Sequence, residues 1–194
     1  MSLRMPRPQL VPTEAPVGPP RKPEELGIED LFRLHSGAIA SLGLSVLQSV
    51  EEADDLVQDV FLRAWRALDR LDDREEARPW LMTIAIRVAR TRLRRRKLSR
   101  LLFRTGDSDL EHIAAPGVLP EHRELVRRLY ATLDQLPVEL RIAWVLRYVQ
   151  AETVESVARL CGWSLSTAKR RIQDAHTRVT RRLNLTTSAM GEEP

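Results

Sequence analysis

Only one cysteine, Cys161, occurs in the 194 residues, which excludes an internal disulfide and any multi-cysteine zinc site. Its neighbours at helical spacing are apolar, so it reads as a packed small hydrophobe. The four histidines are scattered, and no glycine loop able to cradle phosphate and no nucleophile constellation is present. No catalytic residue, cofactor or metal is therefore expected. No segment approaches the roughly 18 apolar residues of a membrane span. The N-terminal arginines are not followed by the apolar run of a secretory signal. The expected location is the cytoplasm, without membrane insertion.

Acid is missing from one stretch altogether. From Met82 to Thr105 there are nine Arg or Lys and no Asp or Glu, whereas Glu24 to Leu81 holds fourteen acids against six bases. The net charge of +4 hides this segregation. One surface suited to an anionic polymer and another suited to a basic partner follow from it. A sequence pI near 9.8 fits contact with nucleic acid.

What is present is helical pattern throughout, and an all-α fold of two small helical domains is expected. Met1 to Pro23 carries seven of the twelve prolines and little apolar periodicity, so residues 1–24 read as a disordered arm. Leu31, Leu34, Ala38 and Leu42 form a core-facing stripe up to Gly43, with a second short helix through Val46 and Val50. His35 lies beside the stripe with no second ligand at metal spacing, which gives it a structural role. In Asp54 to Leu68 a broad arc of Leu56, Val57, Val60, Phe61, Ala64, Trp65 and Leu68 is expected to be buried. The other arc carries Asp55, Gln58, Asp59, Leu62 and Arg66, where Leu62 is apolar amid charge. Such an arc is either ordinary surface or the rim and anchor of a docking site.

Pro79 can open a helix at Trp80 that runs to Lys97 with Leu81, Ile84, Ala85 and Val88 on its core side. Arg87, Arg90, Arg94 and Lys97 lie nearly opposite. Eight cations between Arg87 and Arg100 exceed what helix capping needs and repel one another unless a polyanion is near, so phosphate contact is the preferred reading. Residues 101–120, with Gly106, Pro116, Gly117 and Pro120, read as a flexible linker. A second domain over 121–185 begins with helices marked by Leu125, Leu129 and Leu133 and then by Leu140, Ala143, Trp144 and Tyr148. Residues 186–194 read as a frayed tail.

Thr153 to His176 has the form of a helix-turn-helix. Val154, Val157, Ala158 and Cys161 recur at helical spacing, Gly162 stops the first helix, and Leu165, Ala168, Ile172 and Ala175 restart the pattern with Ser164 as cap. Opposite that row lie Ser164, Ser166, Lys169, Arg170 and Gln173, whose hydroxyls, cations and amide suit base edges and phosphates. A pair of surface helices with a solvated basic face is the alternative reading.

Together these segments resemble an extracytoplasmic-function (ECF) sigma factor over about Glu25 to Leu183. The resemblance is carried in the first domain by Ala53 to Phe61 with Arg63, Ala64 and Trp65, and by Trp80, Leu81, Ile84, Ala85 and Arg94 to Arg96. In the second domain it is carried by Leu136, Pro137, Leu146, Arg147 and Tyr148, then by Val157, Ala158, Gly162, Ser164, Thr167, Lys169, Arg171 and Ala175. It implies two sigma domains, domain 2 as a helical bundle over 25–100 and domain 4 as the helix-turn-helix unit. It further implies core RNA polymerase, promoter DNA and an anti-sigma factor as partners. Asp55, Gln58, Asp59, Leu62 and Arg66 would dock polymerase. Trp80, Arg87, Arg90, Arg94, Arg95 and Lys97 would bind the minus-10 element. Ser164, Ser166, Thr167, Lys169, Arg170, Arg171 and Gln173 would bind the minus-35 element.

The chain departs from the family pattern in places. Arg87 stands where many relatives carry an Asn that captures an unstacked base, and Thr91 where Asp is common. Glycine is missing around Ala151 and Glu152, Ser156 replaces a usual Glu, and Asp174 stands where a base is common. A sigma-like regulator or decoy that binds its partner without melting DNA is the alternative function, supported by Arg87. A simple helix-turn-helix repressor would need a dimerisation surface that no heptad supplies.

Overall fold

The computed structural model describes residues 27–71, 76–103 and 120–190, and every described element is helical. The expected N-terminal arm and the body of the expected linker fall outside these residues. α1 (Ile28–Leu47) and α2 (Val50–Trp65) form a hairpin whose connection is only Gln48 and Ser49. At the start of α1 the Asp30 carboxylate accepts from the Gly27 N–H at 3.3 Å. Its end is set by Gln48, which turns left-handed at φ 59 and donates its N–H to the Leu44 carbonyl. Ser49 then caps α2 by accepting from the Glu52 N–H at 3.2 Å.

α1 runs straight through Gly43 rather than stopping there, so the expected separate helix through Val46 and Val50 does not exist. A Cβ at Gly43 would lie 3.0 Å from Leu56 Cδ2 and 3.1 Å from Ala53 Cα. The glycine therefore serves close approach of two helices, and that packing outweighs its poor helix propensity. The buried row of α1 is Leu31, Ile39, Leu42, Val46 and Leu47. Leu34 is 63% exposed, contrary to expectation, because the row facing α2 and α3 passes through Ile39 instead. Trp65, also expected inside, is 62% exposed, since it is the last residue of α2 and lies beyond the reach of the bundle.

α3 (Ala77–Phe103) closes the bundle and is longer than the sequence suggested at both ends. It buries Leu81, Met82, Ala85, Ile86, Val88, Ala89 and Leu93, an arc too wide for a helix packed on one side. The second side is covered by the C-terminal half of the chain, for α3 also packs on α5 (Val138–Trp144) and α6 (Val154–Cys161). The C-terminal half opens with α4 (Pro120–Asp134). α5 passes at Val145–Val149 into a π-helical turn in which the Gln150 N–H donates to the Val145 carbonyl. α7 (Leu165–Met190) continues into the segment expected to fray, as far as Met190. Leu125 and Leu165, both placed in apolar rows by spacing, are 55% and 42% exposed. Buried side chains from all seven helices form one continuous apolar cluster, α4 contributing Leu133.

Candidate nucleic-acid and polymerase interfaces

α6 and α7 form the helix-turn-helix. Thr153 Oγ1 accepts from the Ser156 N–H at 3.1 Å, and Gly162 turns left-handed at φ 68 so that the Trp163 N–H reaches the Ala158 carbonyl at 2.8 Å. Ser164 Oγ accepts from the Thr167 N–H at 3.3 Å and donates to Thr167 Oγ1 at 2.9 Å, which fixes the start of α7. Ala168, Ile172, Ala175 and Val179 face inward against Val157, Ala158, Leu160 and Cys161. Burial pushes the Cys161 thiol up to about 12, so it is inert packing. Ser164, Ser166, Lys169, Arg170 and Gln173 are exposed together on the outer side. Thr167 and Arg171 are half-buried at its edge. Asp174 is held by Arg178 one turn on, at 2.8 Å, so its charge is partly offset on the helix itself.

The cationic helix α3 is less free than its composition suggests. Arg92 donates to Asp59 at 2.6 Å and to the Glu52 carbonyl at 3.1 Å, and lies 3.9 Å from Asp55. Arg96 donates to the Leu47 carbonyl at 2.9 Å and to Glu52 Oε1 at 3.3 Å. Acids of α2 thus neutralise two cations that the sequence left to a polyanion. Arg87, Arg95 and Lys97 remain exposed, and Trp80 is half-buried at the start of the helix. Arg90 and Arg94 turn toward the C-terminal half instead. Arg94 donates to Glu139 Oε1 at 2.6 Å, and Arg90 Nε lies 3.2 Å from Glu139 Oε2. Arg171 of α7 approaches the same Oε2 at 3.8 Å. The Arg171 guanidinium stacks 4.1 Å above the Trp163 ring, and Arg90 stands 5.7 Å from it.

On α2, Asp55, Gln58, Leu62 and Arg66 are exposed on one side, while Asp59 is shared with Arg92. Leu62 is 51% exposed, and the exposed Trp65 follows it by three residues, adding a second large apolar side chain amid the charges. The sequence missed Trp65, although a large aromatic on the last turn of a helix is a signal that it need not be covered. It also missed Glu139 and Glu152. An acid in the first turn of a helix, as Glu139 is, reads as ordinary dipole compensation. Glu152 is buried, accepts from Arg78 Nη2 at 2.9 Å and from Ser156 Oγ at 2.5 Å, and thereby explains the serine at that place.

Among the described residues no group of three or more His, Cys, Asp or Glu is placed to hold a metal ion, and no helix is long and apolar enough to cross a membrane. Residues 31–99 match the family model of sigma-70 region 2, and residues 126–178 match that of sigma-70 region 4. The chain is 30% identical over 153 residues to the RNA polymerase sigma-H factor of Pseudomonas aeruginosa, covering 73% of this chain and 79% of that one. It is 30% identical over 151 residues to the RNA polymerase sigma factor CarQ of Myxococcus xanthus, covering 78% and 86%. With the ECF RNA polymerase sigma factor SigW of Bacillus subtilis it shares 26% over 172 residues, or 84% and 92%. The solved structure of CnrH in complex with the cytosolic domain of CnrY superposes with a TM-score of 0.59 at 25% identity, over 81% of this chain and 88% of that one. The sigma factor RpoE of Bartonella quintana, in complex with the anti-sigma factor NepR, shares the fold with a TM-score of 0.65 over 80% and 96% of the two chains, at 24% identity. The helix-turn-helix, the acidic and cationic helices and these likenesses lead to one conclusion: the chain belongs to the ECF RNA polymerase sigma factors, non-enzymatic initiation factors that direct polymerase to promoters.

Proposed function

We propose that three faces of this sigma factor divide the work of initiation. The outer side of α7, through Ser164, Ser166, Thr167, Lys169, Arg170, Arg171 and Gln173, reads the minus-35 element. The cations of α3, Arg87, Arg90, Arg94, Arg95 and Lys97, with Trp80 at its start, bind and open the minus-10 element. The α2 face of Asp55, Gln58, Asp59, Leu62 and Arg66 docks core polymerase. The observation that carries this reading is the exposure, on one side of a capped helix seated on a buried row, of the side chains suited to base edges and phosphates. Melting is then a binding effect, in which protein contacts offset the unpairing and unstacking of a few base pairs. The same reading places the protein in the cytoplasm, with a boundary near 100 and 121 between the two sigma domains. It extends to an anti-sigma partner, as CnrH is bound to the cytosolic domain of CnrY.

Run-off transcription with core polymerase and DNA from upstream of the protein's own gene tests the proposal. A discrete transcript that needs both proteins is expected. No transcript on that DNA or on a pooled genomic template, with polymerase bound, would favour the decoy reading, whose support is the exposed Arg87 in place of Asn.

A further inference from the structure

The turn between α6 and α7 is made by Gly162 and capped by Ser164, and neither task needs the large aromatic that stands between them. Trp163 is held there by its own N–H, which donates to the Ala158 carbonyl at 2.8 Å, and its ring is half-buried at the rim of the apolar cluster. Over that ring lies Arg171 of α7, with Cζ 4.1 Å from the centroid; Arg90 of α3 stands farther off, at 5.7 Å. We propose that Trp163 is a positioning residue for minus-35 binding, whose indole face holds the Arg171 guanidinium ready for a backbone phosphate at the edge of the element. The inference rests on the assignment of Arg171 to DNA, and its test separates the two.

Stacking occupies the face of a guanidinium and leaves the N–H donors in its plane, so a stacked arginine can still fork onto a phosphate. Trp is the ring that holds a cation best, and Arg the cation found on it most often. Among the described residues no hydrogen bond takes the Arg171 donors. Its other charged neighbour, Glu139 Oε2, lies 3.8 Å from Nη1, too far for a hydrogen bond that phosphate would have to break. Lys169 and Arg170 are exposed on the outer side and must give up rotamer freedom when they meet DNA. Arg171 has given it up already, on a ring that the turn fixes. Both members of the stack belong to the helix-turn-helix, so the pair travels with it onto the duplex.

The full chain, assembled with core polymerase, is titrated at several salt concentrations against a labelled duplex carrying the minus-35 region from upstream of its own gene. The variants are Trp163→Leu, which keeps apolar bulk without a ring, Trp163→Phe, which keeps a ring, Arg171→Ala, and Trp163→Leu combined with Arg171→Ala. Circular dichroism checks helicity. Arg171→Ala should weaken binding and make the salt slope shallower by about one. Trp163→Leu should weaken it about two- to fivefold, with a shallower slope, and Trp163→Phe should recover most of both. Once Arg171 is replaced, Trp163→Leu should add nothing. A ring that only braces the turn would weaken binding equally in both backgrounds and leave the slope alone, and that result overturns the inference. Should Trp163→Leu lose helicity, Trp163→Met, unbranched and equally without a ring, takes its place; loss of helicity in both makes the ring structural and overturns the inference too. Lys169→Ala separates the two levels. Weakened binding in that variant, with additive effects at Trp163 and Arg171, removes the positioning role alone, whereas unchanged binding in every variant removes α7 from DNA.

Discussion

Ala151 holds a left-handed backbone at φ 54, in the connection between the π-helical turn and α6. The missing glycine noted from the sequence is thus a real cost, since a Cβ in that conformation is disfavoured by about 1–2 kcal/mol. Ala151→Gly should stabilise the second domain by about 1 kcal/mol, seen as a higher urea midpoint with unchanged slope; a lower midpoint would contradict the strain. His35 makes a second residue-scale prediction. Burial first, and then the charge of Arg78, lower its pKa from the ordinary value. The unfolded chain therefore takes up the proton first as pH falls, so the contribution of neutral His35 is present above about pH 6.5 and is lost below it. Between pH 7 and pH 5 the melting temperature of the wild type should fall more than that of His35→Gln. Equal slopes would show that the side chain is indifferent to its surroundings. The expected structural role of His35 fits this half-buried place.

At the scale of the element, periodicity made the helices legible and tertiary contact decided what each face met. The buried row Ala168, Ile172, Ala175 and Val179 of α7 follows directly from spacing, as does the cap at Ser164. The fate of the cations on α3 does not, because Arg92 and Arg96 find their acids 33 to 44 residues away, on α2. No local pattern records such a pairing. Gly43 was equally opaque, since a helix stop and a close helix crossing call for the same residue. The exposed faces give predictions that belong to whole helices. Alanine at Lys169 or Arg170 should weaken minus-35 binding by about 1–3 kcal/mol where the side chain reads a base, measured by footprint titration; unchanged footprints would remove α7 from the groove. Leu62→Asp should abolish association with core polymerase while leaving the helical spectrum intact, because it places a charge at the centre of an apolar anchor. Retained association in pull-down would move the docking site to another face.

The whole molecule shows why composition alone understated its organisation. Net charge of +4 hides an acidic hairpin and a basic helix that meet in the folded chain, where Asp59 and Glu52 pair with Arg92 and Arg96 while Glu139 of α5 pairs with Arg94. The all-helical architecture, the helix-turn-helix and the acidic and cationic helices were readable because each repeats or clusters along the chain. The junction between the two halves was not, for Glu139 and Glu152 are single residues whose meaning arises only when α3 packs on α5 and α6. Under the proposed function this chain opens promoter DNA with polymerase despite Arg87. Permanganate reactivity of promoter thymines tests that directly, with purified protein, core polymerase and DNA from upstream of its own gene. Thymines near the minus-10 element that become reactive only when both proteins are present are the predicted result. Polymerase bound to the promoter by this protein with every thymine still protected, there and on a pooled genomic template, would contradict it.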